Sequence, residues 1–128
     1  MSAISEPSAM LAALLEKAKK AGADAADALV VNGVSLSASY RLGKAEDLER
    51  SEGRDLGLRV FLGHQQAMVS TTDFAEDALD EAVTRALAMA RAVPEDPYCG
   101  LIAPGQLARE WPDLDLVDNR EPEPAQLI

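Results

Sequence analysis

The side chains able to do chemistry in this 128-residue chain are one histidine, His64, one cysteine, Cys99, and 22 carboxylates. A zinc site needs three or four nitrogen, sulfur or oxygen ligands in tetrahedral reach, usually drawn from His and Cys. His64 and Cys99 cannot supply such a set, they lie far apart in sequence, and no HExxH-like pair occurs. His64 follows Gly63 in a predicted turn and reads as a solvated turn residue. Cys99 has a proline- and glycine-rich setting and reads as a small packed side chain, because a reactive thiol needs a basic or helix-N-terminal environment. One cysteine allows no intrachain disulfide, which suits a reducing cytoplasm. Gly53, Gly57 and Gly63 precede strands and turns rather than opening a helix at GxGxxG spacing, so a nucleotide loop is dismissed.

Among the carboxylates, Glu46, Asp47, Glu49 and Glu52 could serve acid–base chemistry only with pKa values shifted inside a cleft. On an exposed strand they are a solvated face. Their position is the unusual feature. A stretch as polar as Glu46 to Arg54, set within a sheet sequence, must be an edge or line a wet groove. Arg59 points to the face opposite Leu58 and Val60, and Arg50 and Arg54 are expected to share that face with Glu49 or Glu52. One reading is a cross-strand charge ladder, worth roughly a few tenths of a kcal/mol per pair. The other is a surface that meets a partner or a peptide. Glu49, Arg50, Glu52, Arg54 and Arg59 are therefore the candidate peptide or partner surface, and no catalytic, metal or cofactor residue is assigned.

The elements that must carry these residues follow from periodicity. Leu11, Leu14, Leu15 and Ala18 recur at spacings of three and four and predict an amphipathic helix over 8–21. Ser5 or Ser8 can cap it, Pro7 fits a first turn, and Gly22 can end it. From Ala28 to Thr72 the period becomes two. Val34, Leu36, Ala38, Tyr40 and Leu42 alternate with polar residues, as do Leu56, Leu58, Val60 and Leu62 with Gly57, Arg59 and Phe61. Gly43-Lys44 and Gly63-His64 offer turns, the second leading into a strand from Gln65 to Thr71. Asn32-Gly33 fits either a two-residue hairpin or a bend within one long strand. Residues 74–92 predict a second helix, opened by Asp73 and Glu76 in the manner of a capping box and stopped by Pro94. Its apolar stripe includes Leu79, Val83 and Leu87. With Leu11, Leu14, Leu15, Leu36, Leu58 and Val60 these form the predicted core.

Both helices have one apolar stripe and need a shared surface, so the expected fold is α+β: a mainly antiparallel sheet with two amphipathic helices packed on one face. Apolar residues make up 48% of the chain but aromatics only 4%, so Ala, Leu and Val must build the core. The net charge of −10 makes nucleic acid and anionic membranes poor partners and favours protein contacts. No apolar run approaches the ~18 residues of a membrane span, and Met1 to Met10 lacks the form of a signal peptide. Six of the seven prolines lie from Pro94 onward. The segment Glu95 to Asp118 is expected to be irregular and anchored by Trp111 and Leu114. Residues 1–118 are read as one domain and 119–128 as the start of a linker or helix toward a missing carboxy-terminal domain.

The segment Gly53 to Asp73, with Gly57-Leu58-Arg59-Val60-Phe61 followed by Ser70-Thr71-Thr72-Asp73, resembles a signature of the TldD/PmbA family, long labelled modulator of DNA gyrase. Asp96-Pro97-Tyr98-Cys99-Gly100-Leu101 and Pro112-Asp113-Leu114-Asp115-Leu116 resemble segments of its PmbA (TldE) branch. The resemblance covers roughly Ala12 to Val117 and implies the amino-terminal domain of that branch. It implies a cytoplasmic, metal-free subunit whose TldD-like partner carries the zinc, the pair processing unfolded peptides as a heterodimeric metalloprotease. It also favours a bend over a hairpin at Asn32-Gly33, since relatives run through this region as one strand. The alternative from a different class is an adaptor without a link to proteolysis, such as a protein-level modulator of DNA gyrase.

Overall fold

The computed structural model describes residues 5–127. The elements are α1 (Ser5–Lys20), β1 (Ala25–Arg41), β2 (Lys44–Leu62), β3 (Gln65–Thr71) and α2 (Glu76–Ala92), followed by single 3-10 turns at Pro104–Gln106 and Pro124–Gln126. The three strands form one antiparallel sheet in the order β1-β2-β3. This is the expected α+β arrangement. Residues Met1 to Ile4, part of the stretch read above for a signal peptide, and Ile128 at the apolar tail lie outside the described residues, as does any cap from the Ser5 side chain.

Helix α1 begins three residues earlier than its apolar stripe alone predicts, because Pro7 then falls in the first turn, where its missing N–H breaks no hydrogen bond. Its end is a Schellman motif. The Ala23 N–H donates to the Ala18 carbonyl at 3.0 Å and the Gly22 N–H to the Lys19 carbonyl at 3.1 Å. Gly22 sits at φ 108°, a conformation that side-chain-bearing residues rarely adopt. Helix α2 begins later than predicted. Asp73 does not build a capping box; its Oδ1 accepts from the Ala75 N–H at 2.9 Å, a turn that holds Phe74 and Ala75 outside the helix. The N-cap is then Ala75, which offers no side-chain bond. At the other end, Val93 is extended because Pro94 follows it.

The chain divides into two compact units: Met1–Asn32 with Arg54–Leu101, and Gly33–Gly53 with Ile102–Ile128. The first unit holds the main core. Leu56, Leu58 and Val60 of β2 are fully buried, with Ala67 and Val69 of β3, Leu14 and Ala18 of α1, and Leu79, Ala82, Val83, Ala86, Leu87 and Ala90 of α2. The register explains the layering: Leu58 faces Val69 and Val60 faces Ala67, so the apolar positions of both strands fall on one side. Leu11 and Leu15 pack on this cluster half-buried. Leu36, expected in the core, lies instead in the second unit and is half-buried.

In the second unit the outer parts of β1 and β2 form a two-stranded ribbon. Its turn is Leu42-Gly43, with φ of 50° and 78°, and not Gly43-Lys44. Both central residues of such a tight hairpin turn need positive φ, so the glycine takes the second place and Leu42 bears the strain of the first. The Tyr40 hydroxyl donates to the Gly43 carbonyl at 2.7 Å. Asn32 and Gly33 are absent from the positive-φ residues, which removes the hairpin alternative; β1 runs through them as one strand. The segment after Ile102 is irregular, as four prolines from Pro104 to Pro124 require. Trp111 and Leu114 do not anchor it: they are 77% and 64% exposed.

Candidate functional site

Strand β2 has two halves with different neighbours. Residues 56–62 pair with β3 from Leu56–Thr71 to Leu62–Gln65. Strand β3 ends at Thr71, opposite Leu56, so among the described residues 44–55 have β1 on one side and no strand on the other. The polar stretch Glu46 to Arg54 therefore lies in the middle strand of the sheet and yet presents an open edge. Its side chains are exposed throughout. Among the described residues outside the strands, no backbone hydrogen bond is made by residues 44–55.

Within the second unit, Arg50 is the centre of a charge group. Its Nη2 donates to Glu52 Oε1 at 2.8 Å, and its Nη1 donates to Glu121 Oε1. The hydrogen bond that Arg50 donates to Glu121, then that to Glu52, holds the guanidinium pKa further above its ordinary value. Leu36, Leu48, Arg50, Glu121, Pro122 and Glu123 line one hollow, so the terminal segment lies on the even-numbered side of the ribbon. Arg41 pairs with Glu46 at 3.5 Å. Glu49 sits on the other side of the strand by the period of two, exposed and without a side-chain partner among the described residues.

Arg54 and Arg59 belong to the first unit and stand on opposite faces of the sheet. Arg59, as expected, is on the face away from Leu58 and Val60. It grips Asp27 of β1 with two hydrogen bonds, Nε to Oδ1 at 2.8 Å and Nη2 to Oδ2. Its guanidinium lies 5.1 Å from the centre of the Phe61 ring. The hydrogen bonding of Arg59 to the accepting Asp27 carboxylate raises the Arg59 pKa, against a smaller opposing effect of burial. Arg54 does not share that face. It lies 4.7 Å above the ring of Phe74, which packs against the core, and donates to Asn32 Oδ1 at 3.2 Å. The reason is parity: Arg54 is even-numbered, like Leu56 and Leu58, and points to the helix-bearing side. The five predicted residues thus do not form one face. Arg50 and Glu52 come together, Arg59 finds Asp27, and Arg54 finds Asn32 and Phe74. Glu121 and Asp27 were missed as partners because both are distant in sequence and neither lies in the polar run.

Among the described residues no group of three His, Cys, Asp or Glu side chains is placed to hold a metal ion. His64 is an exposed turn residue whose carbonyl accepts from the Asp96 N–H at 2.8 Å, and Cys99 is half-buried. These residues do not fit a zinc site. No described helix is long and apolar enough to cross a membrane.

The small antiparallel sheet carrying two helices is the fold of a known class of domain, the first domain of PmbA/TldA metallopeptidase-related proteins. The model of PmbA/TldA metallopeptidase domain 1 matches residues 26–90. The chain belongs to the PmbA/TldD family. It is 40% identical over 103 residues to the metalloprotease PmbA homolog of Haemophilus influenzae, covering 80% of this chain and 22% of that protein. With metalloprotease PmbA of Escherichia coli it shares 32% identity over 105 residues, 82% of this chain and 23% of the relative. A candidate modulator of DNA gyrase from Bacteroides thetaiotaomicron has the same fold, with a TM-score of 0.83 at 21% identity over 90% of this chain and 26% of that one. TldE from Thermococcus kodakarensis does so at a TM-score of 0.70 and 19% identity, over 91% and 26%. The chain therefore spans under a quarter of the length of the PmbA relatives it matches.

Proposed function

We propose that this chain is the amino-terminal domain of a metal-free, cytoplasmic subunit in a two-subunit metallopeptidase, and that its ribbon handles unfolded peptide. Zinc and the hydrolytic groups belong, on this reading, to a TldD-like partner. The metalloprotease name of the PmbA relatives describes whole proteins of which this chain matches 22–23%, so it does not place hydrolysis in this domain.

The observation that carries the reading is the open edge of β2 at residues 44–55. An extended peptide can add to such an edge through main-chain hydrogen bonds, which tolerate many side chains and suit a processor of unstructured substrates. Charged residues along the edge keep it soluble while it has no strand beside it. The test uses the full-length protein with its TldD-like partner. Glu49→Lys, Arg50→Glu and Glu52→Lys are combined, and assembly and cleavage of an unstructured peptide are measured. Loss of either supports the assignment. If both are unchanged, the polar strand is a solvated edge and the assignment fails.

A further inference from the structure

Resting on that reading of the edge, we propose that the second-unit part of β2, residues 44–53, selects basic extended peptides, with Asp47 and Glu49 pairing with cationic side chains at alternate positions of the added strand. The two sides of this strand are electrostatically unlike. On the even-numbered side each glutamate is already neutralised: Glu46 by Arg41, and Glu52 by Arg50, which also binds Glu121. On the odd-numbered side Asp47 and Glu49 are exposed, and neither has a cationic partner among the described residues. Asp47 accepts only from the backbone N–H of its neighbour Leu48, at 2.9 Å.

Two residues apart on a strand, these carboxylates stand roughly 6.5–7 Å from each other on one face. That is also the spacing of side chains at alternate positions in an added strand. Lysine or arginine at two such positions would meet both carboxylates, whereas acidic residues there would be repelled. The surroundings reinforce this preference. The second unit carries ten carboxylates, Glu46, Asp47, Glu49, Glu52, Glu110, Asp113, Asp115, Asp118, Glu121 and Glu123, against five cations, Arg41, Lys44, Arg50, Arg109 and Arg120, a net of 5 − 10 = −5. The main chain provides the attachment, and the two free carboxylates discriminate between peptides.

The test uses the 128-residue chain, labelled with 15N, and capped unstructured peptides of about ten residues, the length of a long strand. Three versions carry lysine, glutamine or glutamate at two alternate positions. A fourth is the lysine peptide N-methylated along one edge. The lysine peptide is expected to bind about three- to tenfold more tightly than the glutamine peptide at low salt, with the glutamate peptide weakest and the spread collapsing near 1 M salt. Amide shifts and slowed hydrogen exchange should map to residues 44–53, the N-methylated peptide should lose binding, and Asp47→Asn with Glu49→Gln should erase the preference. If all three peptides bind that edge equally, the charge selection is wrong while the peptide-edge reading stands. If none binds there, the peptide-edge reading fails and this inference with it. Equal binding of the N-methylated and unmodified lysine peptides overturns the inference in a third way, showing charge attraction without strand addition.

Discussion

Truncating Leu58 to Ala is expected to cost about 3 kcal/mol, while the same change at Leu36 should cost about 1 kcal/mol or less. Leu58 is fully buried in the middle of β2, faces Val69 across the sheet, and has the equally buried Leu56 and Val60 on either side. Such a site collapses poorly around a cavity, so the loss should fall inside the ~2–5 kcal/mol range of core leucine truncations. Leu36 is half-buried, outside the main cluster, in the ribbon. Against a typical total of roughly 5–15 kcal/mol, the Leu58 change removes a large share of the stability. For a chain of this size it should lower Tm by roughly 10 °C. Urea unfolding followed by circular dichroism, with the slope compared between variants, reads the difference directly. A loss below about 0.5 kcal/mol at Leu58, or a larger loss at Leu36 than at Leu58, would refute the assignment of the core to the first unit. The contrast bears on the proposed role, since a ribbon contributing little to global stability can adjust to an added strand without unfolding the domain.

Other substitutions test local features. Gly22→Ala should destabilise by about 1 kcal/mol, because a methyl group is placed at φ 108° in the Schellman turn; thermal melts would show it. Leu42→Asn should stabilise by roughly 0.5–1 kcal/mol by relieving the 94%-exposed leucine of its left-handed backbone, measured by the same urea titration. Arg59 and Asp27 are partly exposed, so a double-mutant cycle with Arg59→Ala and Asp27→Ala should return a coupling of only about 0.2–1 kcal/mol, falling in high salt. Asp118 accepts hydrogen bonds from the Arg120 side chain and backbone, which lower its pKa below the ordinary 3.8. A depressed folded-state pKa means its favourable contribution is present above 3.8 and lost as pH falls through the folded value. NMR titration should show Asp118 moving back toward 3.8 in Arg120→Ala.

Much of the first unit was legible because its elements obey simple periods. The alternation of Leu56, Leu58 and Val60 located the buried side of β2, and the stripe through Leu79, Val83 and Leu87 located that of α2. Phe61 escaped that logic: it lies on the opposite parity and is buried all the same, outside the main cluster and beneath Arg59. The capping box failed because a sequence pattern cannot distinguish an Asp that caps a helix from one that bonds two residues on and delays it. Trp111 and Leu114 were expected to be anchors on hydrophobicity alone, but the prolines around them leave an irregular segment that exposes both. For the candidate site, polarity located the edge, while the pairing of its charges depended on strand parity and on residues far away in sequence. Arg54 was assigned to the wrong face although its even number, shared with Leu56 and Leu58, already placed it.

The most direct test of the proposed role is reconstitution with an unstructured peptide. The full-length protein containing this domain, its TldD-like partner and the two together are each assayed for cleavage, with and without a chelator and with zinc restored. Cleavage is expected only when both are present, lost on chelation and recovered with zinc. Chelator-sensitive cleavage by the full-length protein alone would contradict the proposed role.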